Sequence, residues 1–120
     1  MSQTSEIVRI EAGGRLAKVV VAGGVVYLSG LTSRDKSPDV ALQTRDILAQ
    51  IEDYLAKAGS SPQKLLRVNI WLHDISHFDA MNAVWDGWVN PACQPARATV
   101  ESRLAGNGSN LVEMMATALA

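Results

Sequence analysis

The stretch Leu65-Leu66-Arg67-Val68-Asn69-Ile70-Trp71-Leu72 stands near the middle of the 120-residue chain and alternates in hydrophobicity. Successive side chains of a β-strand point to opposite faces of a sheet, so this alternation predicts a strand with one buried face. We expect the buried side to carry Val68, Ile70 and Leu72, and the other side to carry Arg67, Asn69 and Trp71.

A helix is predicted on each side of this strand, because core-type residues recur there every three or four positions. The first helix is expected to begin at the N-cap Ser37, followed by Pro38, and to end before Gly59. The second is expected to open at Ser76, with Asp79 completing a capping box. The recurring positions are Thr44, Leu48, Ile51, Leu55 and Ala58 in the first helix and Phe78, Met81, Trp85 and Trp88 in the second.

The remaining apolar segments are predicted to be strands. Residues 17–22 and 25–29 are β-branched runs separated by Gly23-Gly24, which is a signal for a two-residue hairpin. Further strands are expected at residues 7–10, 98–104 and 111–119. The resulting order predicts an α+β fold, a single domain over residues 1–120, in which two helices pack on one face of a mixed β-sheet.

Size and composition limit the possible functions. Apolar residues make up 48% of the chain, an excess that suggests a partner covers some apolar surface. The net charge is −1 and Lys and Arg do not cluster, so neither nucleic acid nor an anionic membrane is an expected partner. Residues 1–6 lack the features of a signal peptide, and no stretch is long enough to span a bilayer. Cys93 is the only cysteine, which fits a reducing compartment, and we expect a cytoplasmic protein.

Metal, phosphate and thiol sites are not predicted. His73 and His77 straddle a boundary between strand and helix and have no second pair of ligands. Cys93 has no histidine at motif spacing. The pairs Gly13-Gly14 and Gly23-Gly24 lack the lysine of a phosphate loop. We therefore expect a protein that uses no metal.

The segment Gln94-Pro95-Ala96-Arg97-Ala98-Thr99-Val100-Glu101 carries the strongest candidate for ligand binding. Pro95 fixes its own φ and sets the direction in which the chain enters the strand. The guanidinium of Arg97 is a planar fork of donors that matches a carboxylate, and Thr99 shares its face of the strand. A surface arginine at a strand end remains the alternative.

Two further positions are candidates. Ser29-Gly30 ends a hairpin strand, where a hydroxyl and backbone N–H groups could face a ligand, although a plain strand-to-loop junction explains the pair equally well. Asn82 interrupts the apolar stripe of the second helix, and a buried amide needs hydrogen-bond partners.

Three segments together resemble the reactive intermediate deaminase family, the Rid or YjgF-like proteins. They are Val26–Gly30, Phe78–Trp85 and Pro95–Glu101, and the similarity runs from about Ile7 to Leu119. The resemblance implies a chorismate-mutase-like fold assembled as a homotrimer with clefts between subunits. It also implies hydrolysis of small imine or enamine carboxylates to 2-oxo acids and ammonia, without a cofactor.

The resemblance assigns roles to individual residues. Arg97 matches the arginine that binds the substrate carboxylate. The other residues of the implied ligand region are Ser29, Gly30, Asn82, Ala98 and Thr99, with Thr99 standing where many members have a cysteine.

Two positions depart from the family pattern. Leu16 replaces an archetypal tyrosine, and Met115 aligns with the glutamate of the last strand that holds the attacking water. Glu113 faces the same side and is the alternative candidate to hold water, although a two-residue step is about 6.6 Å.

These departures keep open a second hypothesis, a non-catalytic trimer that binds a small carboxylate as a metabolite sensor. The ribonuclease activity sometimes attached to the family is disfavoured by the lack of a basic surface.

Overall fold

The computed structural model describes residues 6–120; the first five residues, on which part of the signal-peptide expectation rests, lie outside this range. The described residues form a seven-stranded β-sheet and two α-helices. The strands are β1 (Ile7–Gly13), β2 (Leu16–Ala22), β3 (Val25–Leu28), β4 (Leu31–Thr32), β5 (Leu65–Leu72), β6 (Ala96–Glu101) and β7 (Val112–Leu119). The helices are α1 (Val40–Lys57) and α2 (Phe78–Trp88).

The sheet is mixed, and its last strand in sequence lies inside it. The order is β1-β2-β3-β7-β5-β6, with the short β4 also pairing with β7. Only β5 and β6 run parallel, and α2 connects them; the other neighbours are antiparallel. A parallel pair needs such a crossover, because a short turn reverses the chain.

Both helices pack on one face of the sheet, as predicted. In β5 the alternation places Val68, Ile70 and Leu72 in the core. Strand β7 contributes every second residue in the same way, from Val112 to Ala118. The helices cover these strands with Ile47, Leu48, Ile51, Leu55, Met81 and Trp85, all of which are buried.

The predicted start of the first helix is wrong by two residues. Asp39, rather than Ser37, is the N-cap: its carboxylate accepts hydrogen bonds from the backbone N–H of Ala41 and Leu42, at 2.9 and 3.2 Å. The hydroxyl of Ser37 donates instead to Asp35. The predicted end is confirmed, since Gly59 follows the helix with a φ of 77°, which favours glycine.

The capping box predicted at Ser76 is also absent from the helix start. Asp74 caps a 3₁₀ turn, Ile75–His77, by accepting from the backbone N–H of Ser76, and α2 follows at Phe78. Strand β6 begins and ends earlier than predicted, at Ala96 and Glu101. Arg97 is therefore the second residue of this strand.

The other face of the sheet carries large apolar side chains that no element of the described chain covers. Tyr27 is 47% exposed, Val100 50% and Leu119 48%, while Met115 is exposed and Trp71 half-buried. An apolar surface of this kind is typical of an interaction site. We call it the open face. Within residues 6–120, neither helix is long and apolar enough to cross a membrane.

Candidate functional site

Ser29 and Gly30 lie at an irregular point of the sheet. Pairing with β7 is interrupted between β3 and β4, where residues 28–30 stand opposite residues 115–116. Three residues against two is the pattern of a β-bulge, which redirects side chains. The hydroxyl of Ser29 is buried there and has no hydrogen-bond partner in the described chain. The pair is therefore more than a plain end of a strand.

The carboxylate of Glu113 lies against the backbone of Gly30. A methyl group built on Gly30 would overlap Oε2 of Glu113 and lie 3.4 Å from its Cδ. The three heavy atoms nearest to that position all belong to Glu113. Because glycine has no Cβ, it allows the carboxylate this close to the backbone beside Ser29.

Glu113 and Met115 both project from the open face of β7. Glu113 is in register with Trp71 of β5 and Thr32 of β4, whereas Met115 lies opposite Asn69 and is 40% exposed. Although Glu113 lies two residues before Met115 in the strand, its carboxylate still reaches Gly30. The carboxylate beside the bulge is that of Glu113.

Arg97 projects from the opposite, helix-covered face. In the parallel register of β5 and β6 it lies beside the buried Val68. Its Cζ atom is 5.0 Å from the ring centroid of Trp85, a residue of α2. This is the geometry of a cation–π contact.

The guanidinium of Arg97 is partly desolvated and has no ionic partner in the described chain. Burial lowers the pKa of Arg97 from its ordinary value, and the negative charge of Asp86 offsets part of this effect. The one ion pair within 4.0 Å among residues 6–120 joins Lys57 and Glu11. A charge that has lost water without gaining a partner favours the binding of an anion.

Asn82 and Thr99 belong to the side of the sheet where Arg97 lies. Thr99 is in register with the buried Ile70, and Asn82 precedes Trp85 by one helical turn. Asn82 Oδ1 and Thr99 Oγ1 are buried without a partner in the described chain. Buried polar atoms are usually hydrogen-bonded, so these atoms mark a place where a ligand or a second chain could supply the missing hydrogen bonds.

Ala98 falls on the other side. It lies between Arg97 and Thr99 in β6, so its side chain points to the open face, and it is exposed opposite Asn69. Its side chain cannot join those of Arg97 and Thr99, and only its backbone shares their edge of the sheet.

The predicted residues thus form two separate groups within one chain. Ser29, Gly30 and Glu113 meet at the bulge, while Arg97, Thr99 and Asn82 lie at the β6 edge of the sheet. Strand β5 separates β7 from β6, a distance of about 10 Å for two strand spacings. Since Glu113 and Arg97 also point to opposite faces, one chain does not bring them to a common ligand.

Three cavities among residues 6–120 lie away from both groups. A cavity of about 410 Å³ lies between α1 and α2, and two others measure about 370 and 100 Å³. None is lined by a residue of the two groups. Within residues 6–120, no three His, Cys, Asp or Glu side chains cluster in a way that could hold a metal ion.

Sequence reasoning missed the neighbour of Arg97. Trp85 was expected to be a core-type residue of the second helix, and it is indeed buried, but its ring also contacts the guanidinium. A signal was available: Trp85 shares the stripe that Asn82 interrupts, one turn further along the helix.

Comparisons with known proteins agree with this architecture. The family model described as Endoribonuclease L-PSP matches residues 6–120. A RutC family protein of Haemophilus ducreyi is 36% identical over 112 residues, covering 93% of this chain and 95% of that protein. The RutC family protein YoaB of Escherichia coli is 39% identical over 98 residues, covering 82% and 85%. A solved structure of a YjgF-family protein of Neisseria meningitidis matches with a TM-score of 0.93 at 38% identity, covering 97% of this chain and 96% of that one.

These matches extend over nearly all of the described chain, and they include both the sheet and the helices. The mixed sheet with two helices on one face is the chorismate-mutase-like α+β fold. The chain therefore belongs to the YjgF/RutC family, also called the Rid family.

Proposed function

We propose that this protein hydrolyses small imine or enamine carboxylates to 2-oxo acids and ammonia, in clefts between the subunits of a homotrimer. The observation that carries the proposal is the position of Glu113, whose carboxylate lies against Gly30, next to Ser29, whose hydroxyl has no partner among the described residues. A carboxylate at a bulge, with a hydroxyl nearby, can hold a water molecule and accept its proton.

Arg97 supplies the second requirement, an anchor for the substrate carboxylate. Its guanidinium is partly buried and unpaired in the described chain. Two parallel hydrogen bonds to a carboxylate would restore the interactions lost with water and would fix the orientation of the substrate. They would also place the imine carbon, which adjoins the carboxylate, at a defined distance from the water.

The reaction needs only water as co-substrate. Glu113 takes a proton from the water as its oxygen attacks the imine carbon, the C=N electron pair moves to nitrogen, and Glu113 returns that proton to the nitrogen to give a carbinolamine. Glu113 then takes the hydroxyl proton of the carbinolamine and passes it to the amine nitrogen, the C–N bond breaks, and ammonia leaves as the C=O bond forms. General acid–base catalysis of this kind contributes about 10²–10⁴-fold, and positioning by Arg97 adds to it.

The separation of the two groups supports an assembly whose subunits share the site. Because Arg97 and Glu113 of one chain point to opposite faces, the proposed site pairs Arg97 of one subunit with Ser29, Gly30 and Glu113 of a neighbour. The exposed apolar residues of the open face supply surface for this association. We expect a trimer at micromolar concentration by light scattering, and a stable monomer would remove the shared cleft.

Mixing two impaired variants tests the shared site directly. Arg97→Ala keeps Glu113, and Glu113→Gln keeps Arg97. Unfolding and refolding them together at equal amounts should regenerate intact sites at about one quarter of the interfaces, since each site draws one residue from each of two neighbours. Activity is measured on 2-imino acids released by an amino-acid oxidase, with the surviving imine trapped by semicarbazide.

Each variant refolded alone is the control and should show only its own reduced rate. If Arg97 and Glu113 of the same chain formed the site, every chain in the mixture would carry a broken site. Mixing would then restore nothing, and the proposed division between subunits would be wrong.

A non-catalytic carboxylate-binding trimer, acting as a metabolite sensor, is the second candidate. Leu16 favours it, because this exposed apolar residue occupies the place of an archetypal tyrosine and cannot supply a hydroxyl. The imine assay separates the two candidates: a sensor binds pyruvate through Arg97 but leaves the imine to hydrolyse at its spontaneous rate.

A further inference from the structure

We infer that Trp85 is a positioning residue for Arg97: its indole face holds the guanidinium so that the N–H edge, and not the flat face, meets a ligand carboxylate. This inference rests on the proposed function, because it assumes that Arg97 is the anchor. It assigns to α2 a role beyond packing.

The contact between the two side chains is direct. The Cζ atom of Arg97 lies 5.0 Å from the centroid of the Trp85 ring, and Trp85 is only 6% exposed. Guanidinium groups stack on aromatic faces while their five N–H donors lie in the plane of the group. A guanidinium stacked in this way on the Trp85 ring would have one face covered and its donor edge free.

The ring is itself held in place from the other helix. Trp85 packs on Trp88 with ring centroids 5.6 Å apart, and Nε1 of Trp88 donates a 2.8 Å hydrogen bond to Oε2 of Glu52 in α1. A chain of contacts thus runs from α1 through both tryptophans to Arg97. Because each member touches the next, the indole offers a fixed platform.

No acidic group of the described chain competes for the donor edge. Asp86 follows Trp85 on α2 and acts on Arg97 through its charge, but it does not lie within 4.0 Å of the guanidinium. Arg97 is thus held by an aromatic face and attracted at a distance. Neither the ring nor the distant charge occupies the N–H donors of Arg97, so these donors stay available to an incoming ligand.

The expected effect is on substrate affinity. Without the indole platform, Arg97 must be immobilised when the carboxylate binds, and ordering one long side chain weakens binding by about two- to tenfold. The substrate and the transition state share the same carboxylate, so KM should rise by this factor while kcat changes little.

The test combines substitution with fluorinated tryptophan. Trp85→Leu should raise the Kd for pyruvate by about two- to tenfold, and Trp85→Phe should recover part of the loss, since a benzene ring still presents a π face. Site-specific incorporation of mono-, di- and trifluorotryptophan at position 85 withdraws electron density from the face with little change in shape. The Kd should rise step by step with fluorine number.

The controls distinguish positioning from folding. Phe78→Leu removes an exposed ring at the start of the same helix and should leave the Kd unchanged. A Kd that is independent of fluorine number overturns the inference, and it does so even where Trp85→Leu fails to fold. If Arg97→Ala weakens pyruvate binding and the fluorinated series does not, only the role of Trp85 is refuted. If Arg97→Ala has no effect, both the anchor and its support are refuted.

Discussion

Replacing Arg97 with alanine is expected to weaken the binding of 2-oxo acids such as pyruvate by about 1.5–3 kcal/mol, which is tenfold or more. The guanidinium is partly buried against Trp85 and has no carboxylate partner in the described chain. A ligand carboxylate would therefore form charge-assisted hydrogen bonds that no other group replaces in the variant. Calorimetric titration of the folded protein measures the change.

One further variant tests whether the planar arrangement of the guanidinium donors matters, and a second serves as a control. Arg97→Lys keeps the charge but cannot donate two parallel hydrogen bonds, so it should recover only part of the affinity. Arg45→Ala removes an exposed arginine of α1 that lines the cavity between the helices, and it should leave the affinity unchanged. Unchanged affinity in Arg97→Ala would show that another group anchors the carboxylate.

The fold could be predicted because its signals are periodic. The alternation of residues 65–72 alone identifies β5, and the structure gives this strand the same limits. Two local predictions are also confirmed, the Gly23-Gly24 hairpin and the end of α1 before Gly59. The glycines at these points have a positive φ, which glycine adopts readily. Such features depend on neighbouring residues and are visible in a single sequence.

The errors occur where several residues compete for one local role. Ser37 and Asp39 both suit an N-cap, and the sequence favoured the serine because proline follows it. The structure selects Asp39, whose carboxylate accepts two backbone hydrogen bonds, while Ser37 bonds to Asp35. Ser76 was likewise expected to cap α2, but a 3₁₀ turn capped by Asp74 precedes the helix.

The contacts of the site could not be predicted, because they depend on register. Gly30 and Glu113 are far apart in sequence, and they meet only because β7 lies beside β4 and a bulge precedes the pairing. Alternation places Glu113 and Met115 on one face, but it does not say which of them reaches the bulge. The cation–π contact between Arg97 and Trp85 likewise depends on how α2 lies against β6.

Glu113→Gln is expected to lower kcat for imine hydrolysis by about 10²–10⁴-fold while the protein still binds pyruvate. The amide has the shape of the carboxylate but cannot accept the proton that water releases as it attacks the imine carbon. The Glu113 side chain lies against Gly30, and an amide of the same shape should keep this contact at the bulge. The rate is followed by semicarbazide trapping, with the spontaneous hydrolysis subtracted and the oligomer confirmed beforehand.

Met115→Leu is the matched control, since Met115 is an exposed residue of the same face of β7 and stands where the archetypal glutamate was expected. If Glu113 holds the attacking water, this apolar exchange should leave the rate close to that of the wild type. A Glu113→Gln protein with wild-type kcat would contradict the assignment and direct the search to another water-holding group. A wild-type protein that binds pyruvate through Arg97 but does not accelerate hydrolysis would exclude the enzyme and favour the sensor.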